Sequence, residues 1–336
     1  MRNRVGILAL VLLIGLGTPG SAQLVPDTTY RFGIEDPAYA KSTGPRVCID
    51  AAHRNQHTLH GRYRPFATML EQDGYRVRSN DAAFAANALR ECDVVVIISP
   101  LPSNLSASGT NPHESAFDES ELSALASWIW SGGSLLLISD HRPAPGNQSA
   151  LATVLGFTLF NGSVHSSDSG WPDVFGEPHE SVYRFFAQGQ SVDATELRQL
   201  AGEPGKLGAH PILRGRNPRE GVSTVVTFTG TAFHGARDVE PLLIWGRDAA
   251  GAVNIGGYVP GAQDGKHWPV SSFRGWLHAG VRRFGAGRVA VLGESGMCNA
   301  QLGGAERLPV GMNAPYKAQN AQFCLNVIRW LSGVLE

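Results

Sequence analysis

The apolar positions of this chain gather into short, nearly unbroken runs. These include Val47-Cys48-Ile49, Val94-Val95-Val96-Ile97-Ile98, Leu135-Leu136-Leu137-Ile138 and Val289-Ala290-Val291-Leu292. Runs of this kind read as strands buried on both faces, as in a parallel sheet. They predict strands over 46–50, 93–98, 134–139 and 289–293, with a further short one over 75–78. Between them the spacing becomes helical. A helix over about 59–73 is expected, opened by Thr58 as its N-cap, and a short one over 81–89. Asp118-Glu119-Ser120-Glu121 sets an acid three residues after an N-cap, a capping box, and predicts a helix to Trp130 that Ser131-Gly132-Gly133 stops. A short helix over 149–155 ends at Gly156. Residues 161–221 carry little periodicity, and 222–228, 242–245 and 253–256 predict strands joined by turn residues. The last helix, 317–331, repeats Phe323, Val327, Trp330 and Leu331 on one face.

Strand–helix alternation with right-handed crossovers predicts an α/β fold. We expect a flavodoxin-like, doubly wound, mainly parallel sheet with helices on both faces and extra β-hairpins inserted before the last core strand. The expected organisation is a signal peptide over 1–22, an extended lead-in over 23–45, and one domain over 46–336 with a β-rich insertion at about 161–285. No Gly-rich dinucleotide fingerprint follows the first strand, where Asp50-Ala51-Ala52-His53 stands, and no phosphate-binding loop ending in GK[ST] occurs.

Arg2 and Arg4 precede an apolar run from Val5 to Leu16, and Gly20, Ser21 and Ala22 then supply small residues before Gln23. That is the layout of a secretory signal peptide, which predicts a periplasmic or secreted protein. No other stretch approaches the ~18 apolar residues of a membrane span. Without Arg2 and Arg4 the 28 basic residues fall to 26 against 29 acidic, a net charge of −3, with no basic run. Nucleic acid is therefore not an expected partner. Of the four cysteines, Cys48 and Cys92 read as small buried hydrophobes. Cys298 and Cys324 are candidates for a bridge, which export permits.

In open parallel sheets the site lies beyond the carboxyl ends of the strands. Three of the predicted strands run into ionisable groups there: Asp50 with His53 and His57, beside the amide of Asn55; Asp140 with His141; and Glu294. Asp50, His53, Asp140 and Glu294 are the candidate catalytic residues. Imidazoles and carboxylates suit a divalent metal such as zinc, so His53, His57 and Asp140 are candidate ligands, although the spacing matches no standard zinc signature. A metal-free alternative uses Asp140 to orient His141 or His53 as general base, with Glu294 as acid. Gly293-Glu294-Ser295-Gly296 is close to a nucleophile elbow but has Met297 where the final Gly belongs. Asn55, His141, Asn313 and Gln322 are candidate ligand contacts, because amides and imidazoles suit the hydroxyls and amides of a sugar or peptide. Turn formation and helix capping are the competing roles for the two amides near the end.

The segment Asp50-Ala51-Ala52-His53-Arg54-Asn55-Gln56-His57, with Ser139-Asp140-His141-Arg142-Pro143 and Gly293-Glu294-Ser295-Gly296-Met297, resembles exported members of the class I glutamine-amidotransferase-like superfamily. Trehalose-utilisation-protein-like proteins are its more distant relatives. The resemblance implies a flavodoxin-like sheet and little about activity. Amidotransferases carry a nucleophilic Cys on a Gly-flanked turn after a central strand. Here 93–98 runs into Ser99-Pro100-Leu101-Pro102, so glutaminase activity is not expected. Three readings remain: an exported hydrolase acting on an ester, amide or glycoside; a ligand-binding module that kept the fold; and a structural partner in the cell envelope.

Overall fold

The computed structural model describes residues 24–103, 114–166, 183–188, 204–246, 249–254, 267–270, 272–303, 307–315 and 318–336. The expected signal peptide and its cleavage point lie outside the described residues. Among those described, no helix is long and apolar enough to cross a membrane.

Five parallel strands form the centre of the sheet: β1 (Arg46–Asp50), β2 (Arg76–Asn80), β3 (Val94–Ile98), β4 (Ser134–Ile138) and β5 (Gly287–Leu292). Their order is β2-β1-β3-β4-β5. Side chains alternate across a strand. Val47, Ile49, Val96, Ile98, Leu136 and Ile138 therefore enter one core, and Cys48, Val95, Ile97, Leu135 and Leu137 the other. Helices α1 (Arg64–Gln72) and α4 (Asn320–Leu331) supply Phe66, Leu70, Phe323 and Ile328 to the first core. Helices α2 (Glu119–Trp130) and α3 (Ala144–Val154) supply Leu125, Ile129 and Leu151 to the second. Both faces are covered, which is why β1, β3, β4 and β5 read as nearly unbroken apolar runs, whereas β2, at the sheet edge, does not.

The sheet is mixed rather than mainly parallel, which corrects the expectation. β5 is not at the edge. It is the second arm of an antiparallel hairpin with Leu277–Phe284. That strand pairs with Glu240–Ile244, and the sheet continues through Gly205–Leu207, Tyr183–Phe186 and Thr224–Thr227 to twelve strands. The insertion thus extends the main sheet instead of forming only a hairpin appendage, and two further three-stranded sheets flank it.

Helix starts follow proline rather than the expected caps. Pro65 and Pro145 lie in the first turns of α1 and α3, where the missing N–H is harmless. So α1 begins at Arg64, and the Thr58 carbonyl accepts from Gly61 and Tyr63 in a preceding turn. The capping box of α2 forms as read: the Asp118 carboxylate accepts from the Glu121 N–H, and the Glu121 carboxylate from the Asp118 N–H. Cys298 and Cys324 are bridged, and so are Cys48 and Cys92, whose Cα atoms lie 5.8 Å apart. The second bridge corrects the reading of Cys48 and Cys92 as unpaired hydrophobes. It joins β1 to a residue two places before β3, a neighbour relation that only the strand order reveals.

Candidate functional site

β4 and β5 run side by side with Ile138 opposite Leu292, and the Ser139 N–H continues the ladder to the Leu292 carbonyl. Carried two residues on, that register sets Asp140 beside Glu294 just past the strand ends. The two carboxyls are held differently. Asp140 Oδ1 accepts from the His141 N–H at 2.7 Å, and Oδ2 accepts a short hydrogen bond from the Ser295 hydroxyl. Burial opposes its charge, but exposed His141, Ser295 and His57 outweigh it and hold the carboxyl below its ordinary range. Its side chain is 15% exposed, so this end of the group reaches solvent.

His57 Nε2 lies 3.1 Å from Ser295 Oγ, while its Nδ1 is buried without a partner. An unpaired buried lone pair is cheaper than an unpaired N–H. We therefore place the proton on Nε2, donating to Ser295, whose own proton goes to Asp140. Burial pushes the His57 ring down to about 4, so it is neutral at pH 7. Tyr63, fully buried, donates to the Ser295 carbonyl at 2.8 Å.

Glu294 is buried. Its carboxyl meets the Thr227 hydroxyl and the N–H groups of Phe228 and Thr229. Burial first, and the Asp140 charge second, push it up to about 8. Neighbouring carboxyls displaced in opposite directions are the arrangement that separates an acid from a base.

Asp50 and His53 belong to a separate group of hydrogen bonds at the end of β1. His53 Nδ1 is 2.9 Å from Asp50 Oδ2, and Nε2 is 2.8 Å from Glu121 Oε1. Burial opposes charge on the ring, but the two carboxylates outweigh it and hold its pKa above the ordinary value. Asn55 donates to Asp50 and to the Ile98 carbonyl, and Phe84 stacks on the ring with centroids 4.8 Å apart. His53, Glu121, Phe117 and Asp118 line a cavity of about 390 Å³.

The expected single site is thus two groups linked by residues 50–57. Asp140, Glu294 and His57 come together, with His141 exposed beside Asp140. Asp50, His53 and Asn55 do not join them by hydrogen bonds but form the clamp with Glu121. Asn313 donates to Asp27 and to the Gln301 carbonyl, and Gln322 to Asn326 on α4. Both amides hold structure away from either group. The metal set fails on geometry. Both nitrogens of His53 are taken by carboxylates, and His57 and Asp140 belong to the other group. Among the described residues, no group of three or more His, Cys, Asp or Glu side chains has metal-holding spacing.

Glu121, Thr227 and His278 escaped the sequence reading. Glu121 was legible as a capping acid but not as a histidine partner. Thr227 and His278 sit on antiparallel strands of the insertion, where no motif marks them. Ser99 adds a further feature. Directly past β3 it adopts φ 41°, fully buried, with its hydroxyl unpartnered.

No protein-family model and no curated protein matches the sequence. Solved structures similar to this chain include the mmIFT52 N-terminal domain, with 14% identity, TM-score 0.52 and coverage of 85% of this chain and 96% of that one. A ThuA-like protein from Bacteroides uniformis is 12% identical with TM-score 0.43, covering 90% and 94%. Another from Parabacteroides merdae is 11% identical with TM-score 0.37, covering 87% and 91%. At these identities the likeness is one of fold alone.

Proposed function

We propose that this chain is an exported hydrolase whose acid–base pair is Asp140 and Glu294, working without a metal. Asp140 is the charged partner, steered by Ser295, His57 and the His141 N–H. It acts as general base toward water, or as nucleophile. Glu294 holds a proton at neutral pH and gives it to the leaving group. The single observation that carries this reading is two carboxyls side by side past neighbouring strand ends, one reaching solvent and held by the Ser295 hydroxyl and the His141 N–H, the other buried. The substrate class stays that of an ester, amide or glycoside. Glutamine hydrolysis through a thiolate is not part of the proposal, because all four cysteines are in disulfides.

The parallel block is, on this reading, a flavodoxin-like unit of the amidotransferase-like kind. Its strand order follows the second-first-third-fourth-fifth pattern. Two disulfides suit an oxidising compartment and so support export to the periplasm or beyond. A second reading, a module that binds a sugar or peptide without turnover, draws on the cavity beside His53. Chromogenic esters, amides and glycosides offered to the wild type, Asp140→Asn and Glu294→Gln separate the two. The hydrolase reading expects turnover that each substitution lowers at least ~100-fold. Turnover of none of them by the wild type would favour the binding module, and turnover unaffected by both substitutions would refute this pair.

A further inference from the structure

Glu294 is approached from the insertion by a chain of groups that starts at a carbonyl. His278 Nδ1 lies 2.9 Å from the Thr231 carbonyl. A carbonyl only accepts, so Nδ1 carries a hydrogen. Burial pushes the His278 ring down to about 4, which leaves Nε2 bare at pH 7. Nε2 lies 2.9 Å from Thr227 Oγ1. The Thr227 hydroxyl has one proton to give. Around it stand His278 Nε2, the Thr229 carbonyl at 3.0 Å, and a Glu294 oxygen in a short hydrogen bond. The first two can only accept. A charged Glu294 would take that proton itself; with the proton given instead to His278 Nε2 or the Thr229 carbonyl, the Glu294 contact is a hydrogen bond only if the carboxyl donates.

We propose that His278, acting through the Thr227 hydroxyl, is the positioning residue that keeps the proton on Glu294 and so makes it the acid of the site. This rests on the hydrolase reading above. The packing around these groups is tight. A Cβ on Gly293 would stand 2.5 Å from His278 Nδ1, and one on Gly230 would stand 2.9 Å from both the Glu294 Cβ and the His278 ring. The groups around the relay pull both ways: burial and the Asp140 charge favour the proton on Glu294, while the Phe228 and Thr229 N–H groups favour its carboxylate and Asp140 also favours charge on His278, which burial outweighs. Asp140 acts on both Glu294 and His278, and the Tyr63 phenol, pushed up mainly by burial, feels Asp140 and Glu294. His57, the next imidazole along, is neutral. The competing arrangement is a buried imidazolium on His278 bridged by Thr227 to a Glu294 carboxylate.

Infrared titration of the full chain decides between them. The wild type should show a protonated-carboxyl band that disappears near pH 8 and is missing in Glu294→Gln. His278→Phe fills the same aromatic pocket but frees the Thr227 proton to bond the carboxylate. The Glu294 titration should then fall by about one pH unit or more, while Thr227→Ser keeps the wild-type value. Should His278→Phe fail to fold, ¹⁵N NMR of the wild-type ring answers the same question: hydrogen on Nδ1 and a bare Nε2 at neutral pH. An imidazolium there, or a Glu294 titration that His278→Phe leaves in place, overturns the proposal. The readout does not depend on turnover. Loss of the relay and failure of the hydrolase reading are therefore separate results.

Discussion

Ser99 shows what a single residue contributes at the strand ends. Left-handed backbone costs a non-glycine residue about 1–2 kcal/mol, and its buried hydroxyl has no partner to repay that. Ser99→Gly is therefore expected to raise stability by about 0.5–1 kcal/mol in denaturant melts, after the entropy glycine adds to the unfolded chain. A less stable variant would mean that the side chain carries a contact. Nothing local warns of this turn, since neither glycine nor asparagine marks it. Asp140 and Glu294, by contrast, were legible, because each directly follows the end of an apolar run. The upward displacement of Glu294 was not, because it comes from burial, while the Thr227, Phe228 and Thr229 hydrogen bonds from a distant segment pull the other way.

Among the elements, α2 and the two disulfides carry the testable consequences. The Glu121 carboxylate serves three donors at once: the Asp118 N–H, the Phe84 N–H at 3.0 Å and the His53 ring. Glu121→Ala leaves all three without that partner, the His53 ring and the Phe84 N–H in a buried place, and is expected to cost about 2–4 kcal/mol, measured by urea unfolding. A cost under about 1 kcal/mol would mean that the clamp is dispensable. The disulfides close spans of 44 and 26 residues, and reducing each is expected to cost roughly 3–4 kcal/mol. The capping box and the apolar strands were readable because each is a local pattern. The Cys48–Cys92 bridge and the starts of α1 and α3 were not. The first needs the strand order, and the second turns on proline overriding Thr58 and the later helical spacing.

For the whole molecule, the displaced groups predict how stability varies with pH. His57, His210 and His278 are held at about 4 mainly by burial, against an ordinary 6.5. The unfolded chain binds more protons than the fold between those values, so stability should rise from about pH 4 to pH 6.5. Glu294 is the reverse: from its ordinary 4.5 up to about 8 the fold binds the extra proton, and stability falls with pH. The raised His53 adds a contribution present below 6.5 and lost as pH passes its folded value. Three histidines outweigh one glutamate below 6.5, and nothing in this set opposes Glu294 and His53 above it. Thermal melting should therefore peak near about pH 6.5, with Glu294→Gln flattening the alkaline side. A melting temperature that keeps rising to pH 9 would contradict this balance. The α/β class and the helix-covered faces could be read from the chain. The mixed sheet could not, because short polar strands in an aperiodic block do not announce their partners.

The most direct measurement is a ¹³C NMR titration of the Asp140 and Glu294 carboxyl carbons, assigned with Asp140→Asn and Glu294→Gln. The account predicts that Glu294 titrates near 8 and Asp140 below its ordinary 3.8, one holding a proton at neutral pH while the other holds charge. Two carboxyls that both titrate at ordinary values, near 4, would contradict it.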